Sequence, residues 1–418
     1  MPTASPSQAR CSFCGRFQSE TGRMAQGGPR GGYLSFICQI CSGDARKFFE
    51  NNTGLKPKAK PDRIRKVTGP DAVEIKRRLD QYVVGQEQAK VVLSVAVTNH
   101  QKRIQTSSFE EGDDAQSGVE LDKSNVLLLG PTGVGKTALV QALAEIVELP
   151  LAIGDATTLT EAGYVGDDVE NLLVRLLQKT DGDVALAEKG IIFIDEIDKI
   201  AASRGNVSIT RDVSGVGVQQ GLLKLLEGTI TNVPPEGGRK HPEQKCIPVN
   251  TKNILFICGG AFGGLEEIVS RRLGRRQIGF AAETDSAMTD LASRGNPLAQ
   301  VKLEDLVQFG MIPEFVGRLP VVATLQALDE DALRRILVEP KNSLIRQYQK
   351  LFEFDGVELE FRLDALTEIA RKAKAVGTNA RGLRSVVEKV MLPLMFRVRE
   401  NKNRRCIVDA ATVKRAFA

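Results

Sequence analysis

Histidine is nearly absent: there are two in 418 residues. A Ser-His-Asp or Cys-His hydrolase needs an imidazole beside its nucleophile, and neither His100 nor His241 lies near a G-x-S-x-G turn, so peptide-bond cleavage is not expected of this chain. Long apolar runs are missing too. None approaches the roughly 20 residues a helix needs to cross a bilayer, and no membrane is expected among the partners. The opening MPTASPSQARCSFCGRF has no apolar core behind a basic head, so it does not read as a secretory leader, and a cytoplasmic protein is expected. Cysteine is sparse and unevenly placed. Cys11, Cys14, Cys38 and Cys41 form two C-x-x-C pairs while Cys246, Cys258 and Cys406 are scattered, a poor disulfide framework.

What is present is ordinary for a globular chain: 42% hydrophobic and 26% charged residues. The length allows two or three domains. Residues 1–50 hold the paired cysteines, and residues 51–66, NNTGLKPKAKPDRIRK, read as a basic linker. Residues 67–325 alternate short apolar runs (NVLLLG, LAIGDA, GIIFIDEI, NILFICGG) with amphipathic segments such as TALVQALAEIVEL and DVENLLVRLLQKT. Four buried-strand candidates separated by helices predict an α/β fold, a mainly parallel sheet with helices on both faces. Residues 326–418 turn to helical spacing with a brief strand-like VELEF, which predicts a smaller, mostly helical domain.

The strongest motif is Gly130-Pro131-Thr132-Gly133-Val134-Gly135-Lys136-Thr137, directly after the strand NVLLL and followed by Ala138. Glycines let backbone N–H groups close around phosphates, Lys136 reaches the outer phosphates, Thr137 offers a hydroxyl to Mg2+, and the helix that begins there presents its positive end. GIIFIDEIDKI ends a strand on Asp195 and Glu196. Alone, such a pair is commonly a helix N-cap. After a phosphate loop, Asp195 is expected to hold magnesium and Glu196 to polarise the attacking water, which makes the chain a nucleoside triphosphate hydrolase. Cys11, Cys14, Cys38 and Cys41 have structural zinc spacing; a closed four-thiolate Zn2+ site folds its module and leaves no position for catalysis, and a redox site needs only one pair. The 23 residues between the pairs carry a glycine-rich insertion.

YVVGQEQAK, GMIPEFVGRLP and GTNARGLRSVVEKV resemble the AAA+ ATPases, and the cysteine module, GYVG, GGRKHP and RRQIGF resemble the ClpX family within them. The resemblance covers nearly the whole chain. It implies an ATP-driven protein unfoldase that assembles as a homohexamer, recognises tagged or unfolded protein substrates and adaptors, and feeds the ClpP peptidase. By the same resemblance, Val83 and Val84, within Tyr82 to Gln86, border the adenine, a stretch that otherwise reads as a plain helix lead-in. Arg318 is implied as the arginine finger entering the neighbouring site, and Arg381 as the sensor arginine of the helical domain.

Tyr164 and Val165, between Gly163 and Gly166, are implied as an apolar grip on polypeptide in the channel. Residues 204–221 are expected to form a second channel loop. Arg239, Lys240 and His241 resemble an entrance loop that favours acidic or carboxyl-terminal tags. Ile278, Gly279 and Phe280 follow the arginine-rich RRLGRR, expected to be a charged, flexible stalk, and resemble the loop that docks on ClpP. The chain departs from the family at Thr98, often aromatic in relatives, at Val216, commonly acidic, and in FICGGAF, which lacks the polar sensor residue many AAA+ proteins place after that strand. The competing reading is a DNA-remodelling AAA+ motor, which the basic amino-terminal region and the cysteine module would suit. It needs a basic channel loop where Tyr164 and Val165 are apolar, so no nucleic acid is expected.

Overall fold

A computed structural model of the chain describes residues 10–30, 33–52, 69–107, 121–160, 167–202, 215–234, 246–275, 297–377, 379–398 and 405–417. The chain divides into two compact units, Met1–Lys66 and Val67–Ala418. In the first, strands Met24–Arg30 and Tyr33–Cys38 pair antiparallel, and helix Gln39–Asn52 follows. Ala25 faces Ile37 and Gly27 faces Ser35, after which the register shifts before Arg30 meets Tyr33. The described residues of the glycine-rich insertion therefore form an antiparallel strand pair whose register shifts between Gly27 and Arg30. Glycine at such a point accommodates the unpaired residue and the added twist.

The second unit is built on five parallel strands: β1 (Val126–Leu129), β2 (Leu151–Asp155), β3 (Ile191–Asp195), β4 (Leu255–Gly260) and β5 (Val321–Thr324), in the order β5-β1-β4-β3-β2. Strands β1 and β4 are buried at every position, which is why they read as unbroken apolar runs rather than alternating ones. Side chains nonetheless alternate between the faces. Val126, Leu128, Ile191, Phe193, Leu255 and Ile257 pack with helices α1 (Ala72–Leu79), α2 (Glu87–Ser107) and α3 (Lys136–Val147). Leu127, Leu129, Ile192, Ile194, Phe256 and Cys258 pack with α4 (Asn171–Lys179) and α5 (Val216–Glu227) on the other face. The first core continues into the residues after β5, where helices Glu330–Val338, Leu344–Phe354, Leu363–Ala375 and Ala380–Phe396 surround a parallel pair, Glu358–Phe361 with Arg405–Val408.

Three sequence expectations change. Strand β5 adds a fifth to the four strands the sequence predicts: VVAT is short and opens on two half-buried residues. Residues 216–221 are not channel loop but the start of α5, whose Val218, Leu222, Leu225 and Leu226 recur at helical spacing and are buried. The arginine-rich stretch is not a free stalk at its start. Arg271, Arg272 and Arg275 lie on helix Leu265–Arg275, and Arg272 Nε donates to the buried Asp305 at 2.8 Å. The two-fork ion pair fixes that helix end, holding the Asp305 carboxyl below the usual range against its burial.

Lys123 ties β1 to α5. Its Nζ donates to the carbonyls of Leu225 (3.4 Å), Leu226 (3.3 Å) and Thr251 (2.7 Å), and sits 4.7 Å from the Phe256 ring centroid. The last carbonyls of a helix lack intrahelical partners and accept such a donor. Burial first, and then the Arg103 charge, lower the Lys123 ammonium to about 7. Between that value and lysine's ordinary 10.5 the unfolded chain holds the proton and the folded chain has released it, so stability contributed here rises with pH across this window. Comparing the thermal midpoints of wild type and Lys123→Met, the difference should move in favour of wild type from pH 7 to pH 9. A difference that is flat or falls with pH would contradict this placement of Lys123.

Candidate functional site

Strands that run parallel end at one edge, and the loops leaving β1, β3 and β4 meet there. The loop after β1 turns on Gly133 and Gly135, at φ +77° and +101°, conformations that favour glycine. Gly130 is needed for a different reason: a Cβ there would come within 2.6 Å of the Leu325 carbonyl oxygen, at the end of β5. Gly135 caps α3, so Lys136 and Thr137 open that helix with their backbone N–H groups toward the loop, and Ala138 follows. Lys136 is 7% exposed, and its Nζ donates to the carbonyls of Gly130 (2.6 Å) and Pro131 (2.9 Å). Burial pushes its ammonium below the ordinary lysine range; Asp195, Asp198 and Glu196 oppose that shift, and Arg381 adds to it.

Thr137 Oγ1 donates to Asp195 Oδ2 at 2.7 Å, so the loop of β1 and the end of β3 touch across the intervening β4. A hydroxyl beside a carboxylate at a helix N-terminus is a donor set that fits a hard divalent cation with phosphate oxygens. Asp195 Oδ1 accepts from the Glu196 N–H at 2.9 Å. Glu196 has φ +56°, rare for a residue with a side chain, at the turn into Ile197–Ile200. No N-cap side-chain bond is made by Glu196, so the plain capping alternative does not describe this turn.

The helical part reaches the same loop. Asn379 Nδ2 donates to the Thr132 carbonyl (2.8 Å) and the Ala380 N–H to the Gly133 carbonyl (3.1 Å), with Arg381 next in sequence. Asn379 has φ +50°, so the approach bends the backbone to bring helix Ala380–Phe396 onto the loop. Tyr82 and Val83 pack against the core that contains Val134 of the phosphate loop, and Val84 is 6% exposed. Gln86 locks that segment: its Nε2 donates to the Gln326 carbonyl (2.9 Å) and its Oε1 accepts from Gln326 N–H (2.8 Å).

Arg318 is not at this edge. Its carbonyl accepts from Asn125 Nδ2 at 3.0 Å, beside the start of β1, whereas Gly130 follows the strand's end. Four strand residues, about 13 Å, separate the two. Its Nη2 donates to Glu227 Oε1 at 3.0 Å. Tyr164, Val165, Arg239, Lys240, His241, Ile278, Gly279 and Phe280 lie outside the described residues. His100 is no catalyst: its Nε2 bonds the Lys189 carbonyl at 3.1 Å, and burial lowers it to about 4, leaving it neutral.

Comparison with known proteins decides the family. Residues 121–322 match the family model described as AAA domain (Cdc48 subfamily), and residues 328–403 that described as the C-terminal, D2-small domain, of ClpB protein. The chain is 51% identical over 399 residues to the ATP-dependent Clp protease ATP-binding subunit ClpX of Bacteroides fragilis, covering 95% of this chain and 93% of that one. The chain belongs to the ClpX family. It is also 48% identical over 401 residues to ClpX of Porphyromonas gingivalis (96% and 94% covered) and 51% identical over 398 residues to ClpX of Borrelia duttonii (95% and 89%).

Some residues at the ClpX-family site escape sequence reading. Asn379 stands inside the quoted GTNARGLRS, yet nothing in that string says it touches the phosphate loop. Asp198 is 8% exposed and its Oδ1 accepts from the Ala261 N–H at 3.0 Å. A Cβ on Gly260 would meet that oxygen at 2.8 Å and the Phe262 ring at 2.5 Å. Gly260, the last residue of β4, therefore leaves the room that Asp198 and Phe262 occupy.

The cysteine module has its own geometry. Cys11, Cys14, Cys38 and Cys41 bring their sulfurs within 4.8 Å of one another. Tetrahedral zinc with bonds of about 2.3 Å sets sulfurs about 3.8 Å apart, and Cys14 Sγ to Cys38 Sγ is 3.8 Å. The N–H of Cys38 points to Cys11 Sγ and that of Cys41 to Cys38 Sγ, each at 3.4 Å. Burial raises the Cys11 thiol, but the backbone N–H groups of Cys14, Cys38 and Phe13 outweigh it and bring it to about 6. Hydrogen bonding with Cys14 and Cys38 drives Cys41 up to about 12. Four such thiols ionise together only with a cation among them, so the residues fit zinc. Stripping metal from the full chain with a chelator should remove the circular-dichroism and NMR signature of residues 10–52 while the thermal midpoint of Val67–Ala418 stays put. A common shift of both units would show that zinc does not serve the first unit alone.

Proposed function

We propose that this ClpX-family chain is an ATP-dependent protein unfoldase and polypeptide translocase that works as a homohexameric ring in the cytoplasm and delivers tagged or unfolded chains to the ClpP peptidase. The observation that carries the ATPase reading is the 2.7 Å contact between Thr137 and Asp195, with Lys136 and Glu196 on either side. Thr137 and Asp195 would hold magnesium, which when bound draws charge from the phosphate oxygens. The backbone N–H groups from Gly130 to Ala138 close around the phosphates. Lys136 exchanges the loop carbonyls it now contacts for the outer phosphates, and its burial strengthens that electrostatic contact. Glu196 is the base that orients and deprotonates the attacking water. Val83 and Val84 border the adenine, and Arg381 senses the phosphates from the helical part, which already bonds the phosphate loop through Asn379 and Ala380.

Arg318 at the opposite edge from its own phosphate loop supports a role in trans: it enters the site of the neighbouring subunit and offsets charge on the transferred phosphoryl group. The domain plan that accompanies this reading is a zinc module at 1–50, a basic linker at 51–66, a large nucleotide-binding domain at 67–325 and a small helical domain at 326–418. Tyr164 and Val165 grip polypeptide in the channel, Arg239, Lys240 and His241 favour acidic tags at the entrance, and Ile278, Gly279 and Phe280 dock on ClpP. Six weak tips on one ring face bind by avidity. Pairing of Leu159 and Thr160 with Asp167 and Asp168 anchors both ends of the segment holding Tyr164.

Glu196→Gln should keep nucleotide affinity and lose turnover by a factor on the order of 10² or more. Arg318→Ala should also bind ATP and hydrolyse it poorly, and mixing these two inactive variants should restore turnover, since some interfaces then pair a sound base with a sound finger. Absence of recovery at every mixing ratio would contradict a site completed by the neighbouring subunit.

A further inference from the structure

Helix α5 carries a glutamine where its packing calls for an apolar residue. Gln219 is 0% exposed, between Val218 and Leu222 on the buried face. A primary amide in such a place costs stability unless its donors and acceptor are met, and all are. Its Nε2 donates to the Ile200 carbonyl at 2.7 Å and more weakly to the Gly310 carbonyl at 3.5 Å, and its Oε1 accepts from the Ile312 N–H at 2.8 Å. These partners belong to two functional segments. Ile200 ends the turn Ile197–Ile200, which leaves Asp195 and Glu196. Gly310 and Ile312 lead into helix Pro313–Gly317, whose C-cap is Arg318.

Two more contacts tie the same pieces. Ala202 N–H donates to the Gly310 carbonyl at 2.9 Å, so the amide and the backbone close one small network between the turns. Gly310 sits at φ +125°, where a Cβ would meet the Ala202 carbonyl oxygen at 2.5 Å. Helix Pro313–Gly317 is only five residues long and buries Phe315 and Val316, so a shift of its start carries through to Arg318. At the far end of α5, Glu227 holds the Arg318 guanidinium.

We propose that Gln219 is a positioning residue for the arginine finger: its carboxamide fastens the turn that presents Arg318 to the turn that carries the same subunit's Asp195 and Glu196. This rests on the reading of Arg318 as a finger acting in trans. The finger that a subunit offers its neighbour is then set by the state of its own hydrolysis site. Because Gln219 touches neither nucleotide nor reacting atoms, its loss acts through Arg318 and shows in the neighbour's turnover.

Two variants test this in the full chain. Gln219→Met keeps volume and removes every hydrogen bond; Gln219→Glu keeps shape and the acceptor for Ile312. Each is assayed for ATP turnover, for affinity toward a fluorescent ATP analogue, and for turnover after mixing with Glu196→Gln. Affinity and KM should stay within about twofold while kcat falls about tenfold or more. Mixing with Glu196→Gln should restore turnover, because Gln219-variant sites with a sound base then receive a sound finger. If Arg318→Ala recovers in such mixtures and the Gln219 variants do not, the defect lies within the subunit and the inference is overturned. Unchanged kcat with a lower melting temperature would also overturn it, as would failure of both variants to assemble, since Gln219 would then be a core-stabilising group. Failure of the Arg318→Ala mixture itself would remove the finger reading, and the inference with it.

Discussion

The contact between the loop leaving β1 and the carboxylate ending β3 is possible only because the strands run parallel. Parallel strands bring every carboxyl end to one edge, and the order β5-β1-β4-β3-β2 leaves a single strand between β1 and β3. Strand β4 closes that gap with Gly259 and Gly260, where a Cβ would strike Phe193 and Phe262. A larger residue there would force Phe193, Phe262 or Asp198 aside and disturb the edge on which Thr137 and Asp195 meet. The helical part adds a second hold on the phosphate loop through Asn379 and Ala380, so loop, acidic turn and helical part converge on one small region.

The opposite edge carries different work. Asn125, 1% exposed, donates to the Arg318 carbonyl and accepts from the Phe256 N–H, fastening the Arg318 segment to the starts of β1 and β4. Lys123, two residues earlier, caps α5, whose last residue grips the Arg318 guanidinium. The two edges are joined by the strands and by α5, with Gln219 in its first turn and Glu227 at its end. Packed elements of this kind move as blocks rather than deform. One side chain, Gln219, thus bonds both the end of the acidic turn and the start of the helix that ends on Arg318.

Much of this was readable from the sequence, for physical reasons that differ by element. Buried parallel strands show as unbroken apolar runs, so NVLLL, IIFID and LFICGG are legible, whereas LAIGD, at the sheet edge, alternates half-buried and buried positions. VVAT is not legible, being four residues long with its first two positions half-buried. The phosphate loop and Asp195 are legible because glycine, lysine and an acidic strand end have few other uses in that order. EDALRRILVEPKNSLIRQYQKLF reads as one helical stretch, and Pro340 in its middle, which cannot continue the ladder, splits it into two helices. Gln219 and Asn125 were invisible because their meaning lies in partners up to 193 residues away. Lys123 and Arg272 look like solvated charges until the carbonyls and carboxylate they meet are in place.

ATP hydrolysis in a ClpX-family unfoldase is coupled to polypeptide. That coupling is tested most directly by the steady-state ATPase rate of the purified full chain with a tagged, unfolded polypeptide, set beside the rate with single- or double-stranded DNA. Polypeptide should change the rate in a saturable way, and DNA should leave it unaltered. Stimulation by DNA alone, with no response to polypeptide, would contradict the coupling.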